Sequence, residues 1–327
     1  MKQCLILMAT YNGAKYIKSQ IESICNQDYP CWKLIIRDDG SNDGTLNIIR
    51  SFINNGYPIT LITNDTGMHG AYVNFWSLIN YAKTLETYDY YFFADQDDIW
   101  AKNKLSLFLK EVEEYDNIPI YAYSDMSTIN SSDDIMLESV NKTMGIDMKD
   151  DTRTLFYSQG YVWGCASMIN VCLFKQVQPM DENIQQAQII SHDNFYAKHA
   201  LILGRVLFIN KSLLLHRRHE NNTTGKYSMK LSPFVVIKKG FIEINETAKT
   251  HALGYDQTLY TLDWMDKEGI QNKDLKKIKK SITKGGVGGV FQLLRFGVRR
   301  PQIVRTLGVY IIMLTKSYKK YLTYRGI

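Results

Sequence analysis

Short apolar runs alternate with longer amphipathic segments over the first hundred residues of the chain. The runs predict four strands, at Leu5–Ala9, Leu34–Arg37, Ile59–Thr63 and Tyr90–Ala94. The segments between them carry apolar residues three and four positions apart and predict helices at Tyr16–Asn26, Thr45–Asn54 and Tyr72–Leu85. Because strands joined by single helices form mostly parallel, doubly wound sheets, the pattern predicts an α/β fold.

The rest of the chain is less regular. Residues 125–152 are rich in Asp, Ser and Asn and predict a loop, whereas the apolar runs Tyr161–Leu173 and Val206–Leu215 predict further strands. From Met229 onward the apolar spacing is helical, with basic residues between the apolar ones. We therefore predict a main domain at residues 1–225 and a basic, mostly helical C-terminal extension at residues 226–327.

Polar residues follow each predicted strand at its carboxyl end. They are Thr10-Tyr11-Asn12-Gly13, Asp38-Asp39-Gly40-Ser41, Asn64-Asp65 and Asp95-Gln96-Asp97-Asp98. Parallel sheets bind ligands outside the carboxyl ends of their strands. The four segments are therefore expected to share one edge of the sheet, which we call the rim.

The most informative of these segments is Asp95–Asp98, where an apolar strand ends in three carboxylates. Grouped acids repel one another, and a divalent cation that holds a phosphorylated ligand offsets that repulsion. Of Asp95 and Asp97, we expect one carboxylate to reach a ribose hydroxyl or the metal and the other to bind the metal. With oxygen ligands in view, Mg²⁺ or Mn²⁺ is predicted. The alternative is a solvated turn with a helix cap.

The acid pair Asp38-Asp39 is a second candidate, because a carboxylate at a strand end can accept the imide N–H of a pyrimidine base. The same Asp-Asp-Gly sequence is also an ordinary turn signal. A third candidate is Asp193, which precedes a helical pattern. As a general base it would remove a proton from an acceptor hydroxyl, and as a helix cap it would only stabilise the fold. His192 beside it is expected to position rather than react.

The segment Leu215–Thr223 combines two histidines and two arginines after a predicted strand. Arginine binds phosphate through paired hydrogen bonds, and a neutral imidazole can bind a metal. His219 is the stronger metal ligand candidate and His216 the weaker. A basic surface turn would have the same composition.

Charge and cysteine content narrow the functional classes. Five cysteines with no CxxC pair suggest neither a disulfide framework nor a zinc site. The longest apolar candidate, Leu307–Thr315, is too short to cross a bilayer. The net charge of +6 is unevenly divided, since residues 226–327 hold 20 Lys and Arg against 7 Asp and Glu. Such a tail suits an anionic membrane surface or a nucleic acid.

Three motifs resemble those of the family 2 inverting glycosyltransferases with the GT-A fold. They are Ala9-Thr10-Tyr11-Asn12-Gly13, Asp38–Thr45 and Asp95–Trp100, in the order and spacing of that family. The likeness covers about residues 1–225 and is strongest to bacterial rhamnosyltransferases that build rhamnan or O-antigen. It implies a Rossmann-like, mostly parallel mixed sheet flanked by helices, followed by the C-terminal helical extension.

The resemblance also implies roles for particular residues. A nucleotide would be bound by Thr10, Tyr11, Asn12, Asp38, Asp39 and Asp95. Asp97 and His219 would hold the metal, and Asp193 would be the catalytic base. Trp100, His192 and Arg218 are expected near the acceptor or the diphosphate. The family often has Glu-Asp where this chain has His192-Asp193, which leaves the role of His192 open.

The implied reaction transfers L-rhamnose from dTDP-L-rhamnose to a saccharide on a polyprenyl diphosphate. We expect a cytoplasmic enzyme, peripherally associated with the inner face of the membrane through its tail. Alternatives are another donor such as a UDP-hexose, or a binding module without chemistry. The tail can instead pack on the catalytic domain or on a second subunit, giving a homo-oligomer. A nucleic acid partner is not expected.

Overall fold

The structure, a computed structural model, describes residues 1–64, 67–144, 146, 153–157, 162–220, 244–300 and 302–326. The chain forms two compact units. One comprises Met1–Val140 with Val162–Gly225, and the other comprises Asn141–Tyr161 with Lys226–Ile327. The first unit contains the sheet, and the second is helical.

A single mixed sheet organises the first unit. Among the described residues its strands are β1 Cys4–Thr10, β2 Trp32–Asp38, β3 Ile59–Thr63, β4 Tyr90–Asp95, β5 Ile99–Trp100, β6 Ile120–Ile129, β7 Ile135–Leu137, β8 Ser167–Asn170 and β9 Arg205–Arg217. Their order is β3-β2-β1-β4-β8-β6-β9-β5, with β7 added to β6. The first four strands are parallel, whereas β8 runs antiparallel to both of its neighbours.

Helices cover this sheet and connect its strands. They are α1 Ile17–Cys25, α2 Thr45–Asn54, α3 Ala71–Lys83, α4 Lys104–Val112, α6 Val171–Gln176 and α7 His192–Leu203. A further helix, α5 Val140–Met144, belongs to the second unit from Asn141 onward. The core is dense along β1, where every side chain from Cys4 to Met8 is fully buried. A parallel strand covered on both faces requires such a continuous apolar run. The α/β fold, the four N-terminal strands and the three helices predicted between them are confirmed.

The predicted loop at residues 125–152 is wrong over its first part, since β6 continues to Ile129 and β7 follows it. The polar side chains that suggested a loop form hydrogen bonds inside the sheet instead. Asp125 accepts from its neighbour Met126 N (2.8 Å) and from the Ser139 hydroxyl, while Ser127 Oγ donates to the Glu138 carbonyl (2.8 Å). Satisfied polar groups can be buried in a strand. Much of residues 145–152 lies outside the described residues.

The strand predicted at Tyr161–Leu173 is only partly correct. Tyr161 lies outside the described residues, β8 occupies Ser167–Asn170, and a short helix begins at Val171. The Asn170 side chain accepts a hydrogen bond from Leu173 N at 3.1 Å and caps that helix. The strand predicted at Val206–Leu215 is confirmed and extends by one residue at its start and two at its end.

The second unit is built from helices. These are α8 Ile244–Lys267, α9 Lys273–Lys284, α10 Gly286–Arg295 and α11 Ile303–Thr315. Helices α10 and α11 pack closely at Gly289, where an added Cβ atom would lie only 2.6 Å from Met313 Sδ. The helical prediction is confirmed from residue 244 onward, and its first part, 229–243, falls outside the described residues. Within the described ranges, none of the helices is long and apolar enough to cross a bilayer.

Candidate active site

The carboxyl ends of β1, β2 and β4 lie side by side. Thr10 is the register partner of Asp38, and Ala9 is the register partner of Asp95. The predicted rim therefore forms because these strands are parallel and adjacent, and their turns leave the sheet at one edge.

Asp38 lies at the end of β2 and is buried. Its Oδ1 accepts hydrogen bonds from Gly40 N (3.1 Å) and Ser41 N (2.8 Å), and its Oδ2 accepts from Ser41 Oγ (2.5 Å). These bonds close the turn in which Gly40 has a φ of 91°. In the structure Asp38 therefore shapes the turn, and the nucleotide contact remains a prediction.

Asp39 is also buried, 5% exposed, but its partners come from a different segment. Asn64 Nδ2 donates to its Oδ1 at 2.7 Å, and Gly70 N donates to its Oδ2 at 2.9 Å. The Arg37 guanidinium, 3.7 Å from Oδ1, holds the Asn64 amide through a 2.7 Å hydrogen bond. This network fixes the Asp39 carboxylate at the rim, between the turns after β2 and β3.

The Gln96 side chain joins the turns after β1 and β4. Its Oε1 accepts from Thr10 Oγ1 (2.5 Å) and Tyr11 N (2.9 Å), and its Nε2 donates to the Tyr11 carbonyl (2.9 Å). Gly13 makes room for it, since a Cβ there would lie 2.2 Å from Gln96 Oε1. Sequence reasoning quoted Gln96 only as part of a motif and missed this role.

Two predicted nucleotide-binding residues lie in this turn. Asn12 has a left-handed φ of 47°, a conformation that asparagine tolerates better than most residues. Its backbone N–H donates to Ser41 Oγ (2.8 Å), and its Oδ1 accepts from Asn42 N (3.0 Å). Tyr11 is exposed, with 54% of its surface accessible. The turn is thus held by hydrogen bonds to Ser41 and Asn42, and it carries an exposed aromatic ring.

Three carboxylates crowd the end of β4. Burial, together with the nearby charges of Asp98 and Asp97, raises the pKa of Asp95 to about 7. Burial and Asp98 also raise the pKa of Asp97, although the His219 ring opposes this effect. Like charges in a poorly solvated place favour protonation or a bound cation. The acid cluster is therefore short of positive charge.

Asp97 and His219, the two predicted metal ligands, are brought together. His219 Nε2 lies 2.7 Å from Asp97 Oδ2. The Tyr16 ring stacks on the His219 imidazole with a centroid separation of 5.3 Å. The buried guanidinium of Arg217 lies over the same tyrosine and donates from Nε to the Asp97 carbonyl at 2.9 Å. Tyr16 thus positions His219, a role that sequence reasoning missed.

A second group of potential ligands lies behind this pair. Ligand atoms of Asp95, Asp98, Cys165 and His216 all lie within 4.8 Å of one another. His216 Nδ1 contacts Asp98 Oδ1 at 2.9 Å. Burial alone would raise the pKa of Asp98, but His216 holds it below its usual range, and Asp98 in turn raises the pKa of His216. They form a buried ion pair, so His216 is more closely involved than the sequence suggested.

Trp100 is placed below the rim. Its side chain is 3% exposed, and the Lys104 ammonium lies 3.7 Å from its ring centroid. Lys104 Nζ also donates to the Cys165 carbonyl at 2.7 Å, and burial lowers the pKa of Lys104 to about 7. Arg218 is half-buried, and its backbone N–H donates to the Ile129 carbonyl at 2.8 Å. The acceptor or diphosphate contacts of Trp100 and Arg218 remain predictions.

Asp193 lies in the first turn of α7. Its Oδ2 accepts from Gly164 N (3.1 Å), and its Oδ1 accepts from Asn194 N (2.6 Å). Its charge is among the causes that raise the pKa of Asp95, and together with burial it raises the pKa of Tyr72 to about 12. Asp193 is therefore within electrostatic range of the acid cluster, although 95 residues separate the two along the chain.

His192 packs its ring between Phe75 and Phe93, with centroid separations of 4.1 and 4.5 Å. Burial lowers its pKa to about 4, so the ring is neutral at physiological pH. A Cβ on Gly164 would lie 2.9 Å from His192 Nε2. The ring supports the backbone on which Asp193 stands, which agrees with a positional role.

Lys198 completes this part of the site and was not foreseen from the sequence. It lies one and a half turns after Asp193 on α7 and is 1% exposed. Burial lowers its pKa to about 7, an effect that the Asp193 charge partly opposes. A lysine inside the mostly apolar stretch Phe195–Leu203 was the signal that could have identified it.

The donor set fits a hard divalent cation at Asp97. Such ions prefer carboxylate oxygen and accept imidazole, and both groups are present at Asp97 and His219. Cys165 fits less well, because burial raises the pKa of its thiol well above the ordinary value and keeps it protonated. The crowded oxygens of Asp95, Asp97 and Asp98 gain most from a bound positive charge.

Comparison with known proteins agrees with this geometry. Residues 5–178 match the family described as Glycosyl transferase family 2. The dTDP-rhamnosyl transferase RfbG of Shigella flexneri is 31% identical over 67% of this chain and 73% of its own length. An Escherichia coli UDP-Glc:alpha-D-GlcNAc-diphosphoundecaprenol beta-1,3-glucosyltransferase, WfgD, is 32% identical over 31% of this chain and 38% of its own.

Two solved structures share the fold at low sequence identity. TarS 1–349 of Staphylococcus aureus in complex with UDP-GlcNAc has a TM-score of 0.53 at 15% identity, covering 99% of this chain and 93% of that one. A mannosyltransferase from Pyrobaculum calidifontis in complex with GDP-Man and Mn²⁺ has a TM-score of 0.51 at 14% identity, covering 98% and 87%. Fold, motifs and matched residues agree, and the chain belongs to glycosyl transferase family 2.

Proposed function

We propose that this glycosyltransferase transfers a sugar from a nucleoside diphosphate donor with inversion, using Asp193 as the general base. The acceptor hydroxyl oxygen attacks the anomeric carbon from the face opposite the diphosphate. The new bond forms as the anomeric C–O bond to the diphosphate breaks, and the hydroxyl proton passes to Asp193. The diphosphate leaves with the electron pair of the broken bond.

The electrostatic coupling of Asp193 to the acid cluster carries this proposal. Gly164 N and Asn194 N each donate to one Asp193 oxygen, and together they hold the carboxylate in place. Oδ1 also accepts from Asn194 Nδ2 (3.3 Å), whereas Oδ2 keeps a further lone pair that can accept the hydroxyl proton. The same two bonds are compatible with a helix cap. The electrostatic interaction of Asp193 with Asp95 favours the general base, and the kinetics of the D193N variant distinguish the two roles.

The opposite part of the rim supports nucleotide binding. The Asp39 carboxylate is held by Asn64 and Gly70 at the edge of the sheet. The exposed Tyr11 ring and the Gln96-braced turn lie at the end of the neighbouring strand. An acceptor oxygen with an aromatic face beside it suits a nucleobase. We assign Thr10, Tyr11, Asn12 and Asp39 to the base and Asp95 to the ribose region.

Asp97 and His219 are the residues that would hold Mg²⁺ or Mn²⁺. When bound, such an ion neutralises the negative charge that develops on the leaving diphosphate. The raised pKa values of Asp95 and Asp97, which show a deficit of positive charge around these two carboxylates, support this assignment.

We propose dTDP-L-rhamnose as the donor, supported by the match to the Shigella flexneri protein over two thirds of the chain. The proposed acceptor is a saccharide on a polyprenyl diphosphate, supported by the name of the Escherichia coli relative. The latter also supports the alternative of a UDP-hexose donor. An acceptor held in a bilayer implies action at the inner face of the cell membrane, with residues 226–327 as the extension that serves this location.

A panel of nucleotide sugars tests the proposal. We expect metal-dependent hydrolysis and the largest thermal shift with dTDP-L-rhamnose, because the base and the sugar are both recognised. Preference for UDP-glucose would replace the proposed donor and leave the mechanism in place. Binding without turnover of any donor or acceptor would instead indicate a binding module and contradict the mechanism.

A further inference from the structure

Helices α10 and α11 of the second unit each have two apolar faces. One face of α10 buries Gly286, Gly289 and Leu293, and one face of α11 buries Val309, Ile312 and Met313. The helices pack together through these residues, with Gly289 against Met313. A helix needs only one apolar face for such packing, so the second apolar face requires a separate explanation.

The second faces are exposed and regularly spaced. We call them together the apolar face, formed by Val287, Phe291 and Leu294 on α10 and by Ile303, Leu307, Ile311 and Leu314 on α11. Between 48 and 77% of each of these residues is accessible. At 3.6 residues per turn, each helix keeps its set within an arc of about 60 to 80°. A regular stripe on each of two packed helices differs from scattered surface hydrophobics, which are ordinary.

The segment of the chain that carries the apolar face has charges of one sign only. Arg295 and Arg299 lie at and just beyond the end of α10, and Lys316 and Lys320 follow α11, all four exposed. After Asp274 the chain holds 13 Lys and Arg and no Asp or Glu. A partner must therefore offer an apolar interior together with a negatively charged border.

We infer that the apolar face inserts into the interfacial zone of an anionic bilayer, with the helices lying in the membrane plane. The lengths of α10 and α11, about 15 and 20 Å, are too short to cross a hydrocarbon core of about 30 Å. Amphipathic helices of this kind bind by burying apolar side chains while Lys and Arg meet lipid phosphates. This inference deepens the proposed function, because it provides a route to a lipid-linked acceptor.

Two other occupants fit less well. In a two-fold dimer the same surface meets itself, so the cationic border of one copy would face that of the other without an acid from residues 275–327 to pair with. Nucleic acid would match the charge but would leave seven large apolar side chains, only one of them aromatic, against phosphates. The bilayer satisfies both the charge and the apolar surface.

Vesicle sedimentation of the full chain tests the inference. We expect the protein to sediment with vesicles that mix phosphatidylcholine and phosphatidylglycerol, and less with phosphatidylcholine alone. The double variant F291S/L307S should lose about tenfold or more in partitioning, because two apolar side chains no longer enter the membrane. Both residues are exposed in the free protein, so the fold should be retained. The charge variant R295Q/R299Q should lose the preference for anionic vesicles.

The matched control is I135S/M136S, which removes two equally exposed apolar side chains from the first unit. It should partition like the parent chain. Unchanged partitioning of F291S/L307S would overturn the inference, as would a dimer in sedimentation velocity that this variant dissociates. Binding of an oligonucleotide in preference to anionic vesicles would also overturn it. Donor hydrolysis in the absence of lipid is measured on every variant, so failure of the proposed chemistry is recognised separately.

Discussion

Acids at the two parts of the rim are held in different ways. On the base side, after β2, Asp38 and Asp39 accept five hydrogen bonds of 3.1 Å or less from their own and neighbouring turns. On the acidic side, after β4, Asp95, Asp97 and Asp98 lie against one another, and two histidines are their nearest partners. The base side is complete without a ligand, whereas the acidic side has an uncompensated negative charge.

This difference suggests that the two sides of the rim have separate tasks: one recognises the shape of the nucleotide, and the other binds positive charge. Carboxylates held in place by hydrogen bonds are rigid and provide a preformed surface for a planar base. Crowded carboxylates with raised pKa values store unfavourable energy that a cation can relieve. The base side should therefore determine which nucleotide binds, and the acidic side should determine whether the reaction proceeds.

The largest effect is expected from D193N. The amide keeps the shape of the side chain and one of its two acceptor oxygens, but it cannot accept the proton of the acceptor hydroxyl. Transfer should fall by about 10³-fold, within the range typical of a lost general base. Steady-state transfer and donor binding are the measurements, and binding should be unchanged because Asp193 does not hold the nucleotide.

The D181N variant is a control for D193N, since it makes the same exchange at an exposed carboxylate of the first unit, and it should transfer like the parent chain. Should D193N keep more than a tenth of the parent rate, Asp193 would be a helix cap and another base would be required.

A smaller but diagnostic effect is expected from metal addition. Mn²⁺ at about 100 times its dissociation constant should raise the free energy of unfolding by about 2.7 kcal/mol, because only the folded chain gathers the ligands. Thermal or denaturant unfolding with and without the ion measures this gain. D97N should abolish most of it, since the carboxylate beside His219 is lost.

The matched comparison is D38N, which removes a carboxylate from the base side. It should respond to Mn²⁺ like the parent chain. A metal response of D97N equal to that of the parent would move the site to the group that contains Asp98, Cys165 and His216.

The base side itself separates into a structural and a binding acid. D38N should lower the free energy of unfolding by about 1 to 3 kcal/mol, because backbone N–H groups of its turn lose an acceptor. It should leave the KM for the donor nearly unchanged. D39N should instead raise that KM by about tenfold or more, the cost of a hydrogen bond to a charged group. Equal KM effects in the two variants would contradict this division.

An effect that depends on pH concerns Lys198, a buried amine that burial holds at a pKa of about 7 against an ordinary value of 10.5. Between these values the unfolded chain binds a proton that the folded chain does not, so this group makes stability rise with pH. K198M removes that dependence and should be more stable than the parent near pH 7. The difference in unfolding free energy between K198M and the parent chain should become smaller by about 1 kcal/mol for each pH unit above neutrality.

The control is K142M, an exchange outside the helix that carries Asp193. Its difference in unfolding free energy from the parent chain should not become smaller as the pH rises. A constant difference between K198M and the parent from pH 7 to pH 10 would mean that Lys198 keeps its charge in the folded state.

The sequence was most informative where the spacing of apolar residues along the chain matches the burial of those residues in the fold. The parallel strands β1 to β4 are covered on both faces, so their apolar runs are continuous, and their ends could be placed to within two residues. Because parallel strands share an edge, the polar turns after Thr10, Asp38 and Asp95 could also be assigned to one rim before the structure was known.

Contacts made across large sequence separations could not be foreseen in this way. The β6 segment after Ser124 was predicted as a loop because its polar residues satisfy one another only once β7 and the following turn are in place. Cys165 and Lys104 have ordinary local contexts, and only tertiary packing brings them to the acid cluster. The contact of Tyr16 with His219 joins residues 203 positions apart and leaves no local signal.

Gln96 ties the turn after β4 to the turn after β1 through both ends of its amide. Neither turn can move outward without breaking its hydrogen bonds to the other, so the two turns move as one rigid unit. Any opening that admits the donor or releases the nucleoside diphosphate must then be made by the segments opposite this unit. The rate of that opening should be insensitive to substitutions within the two turns.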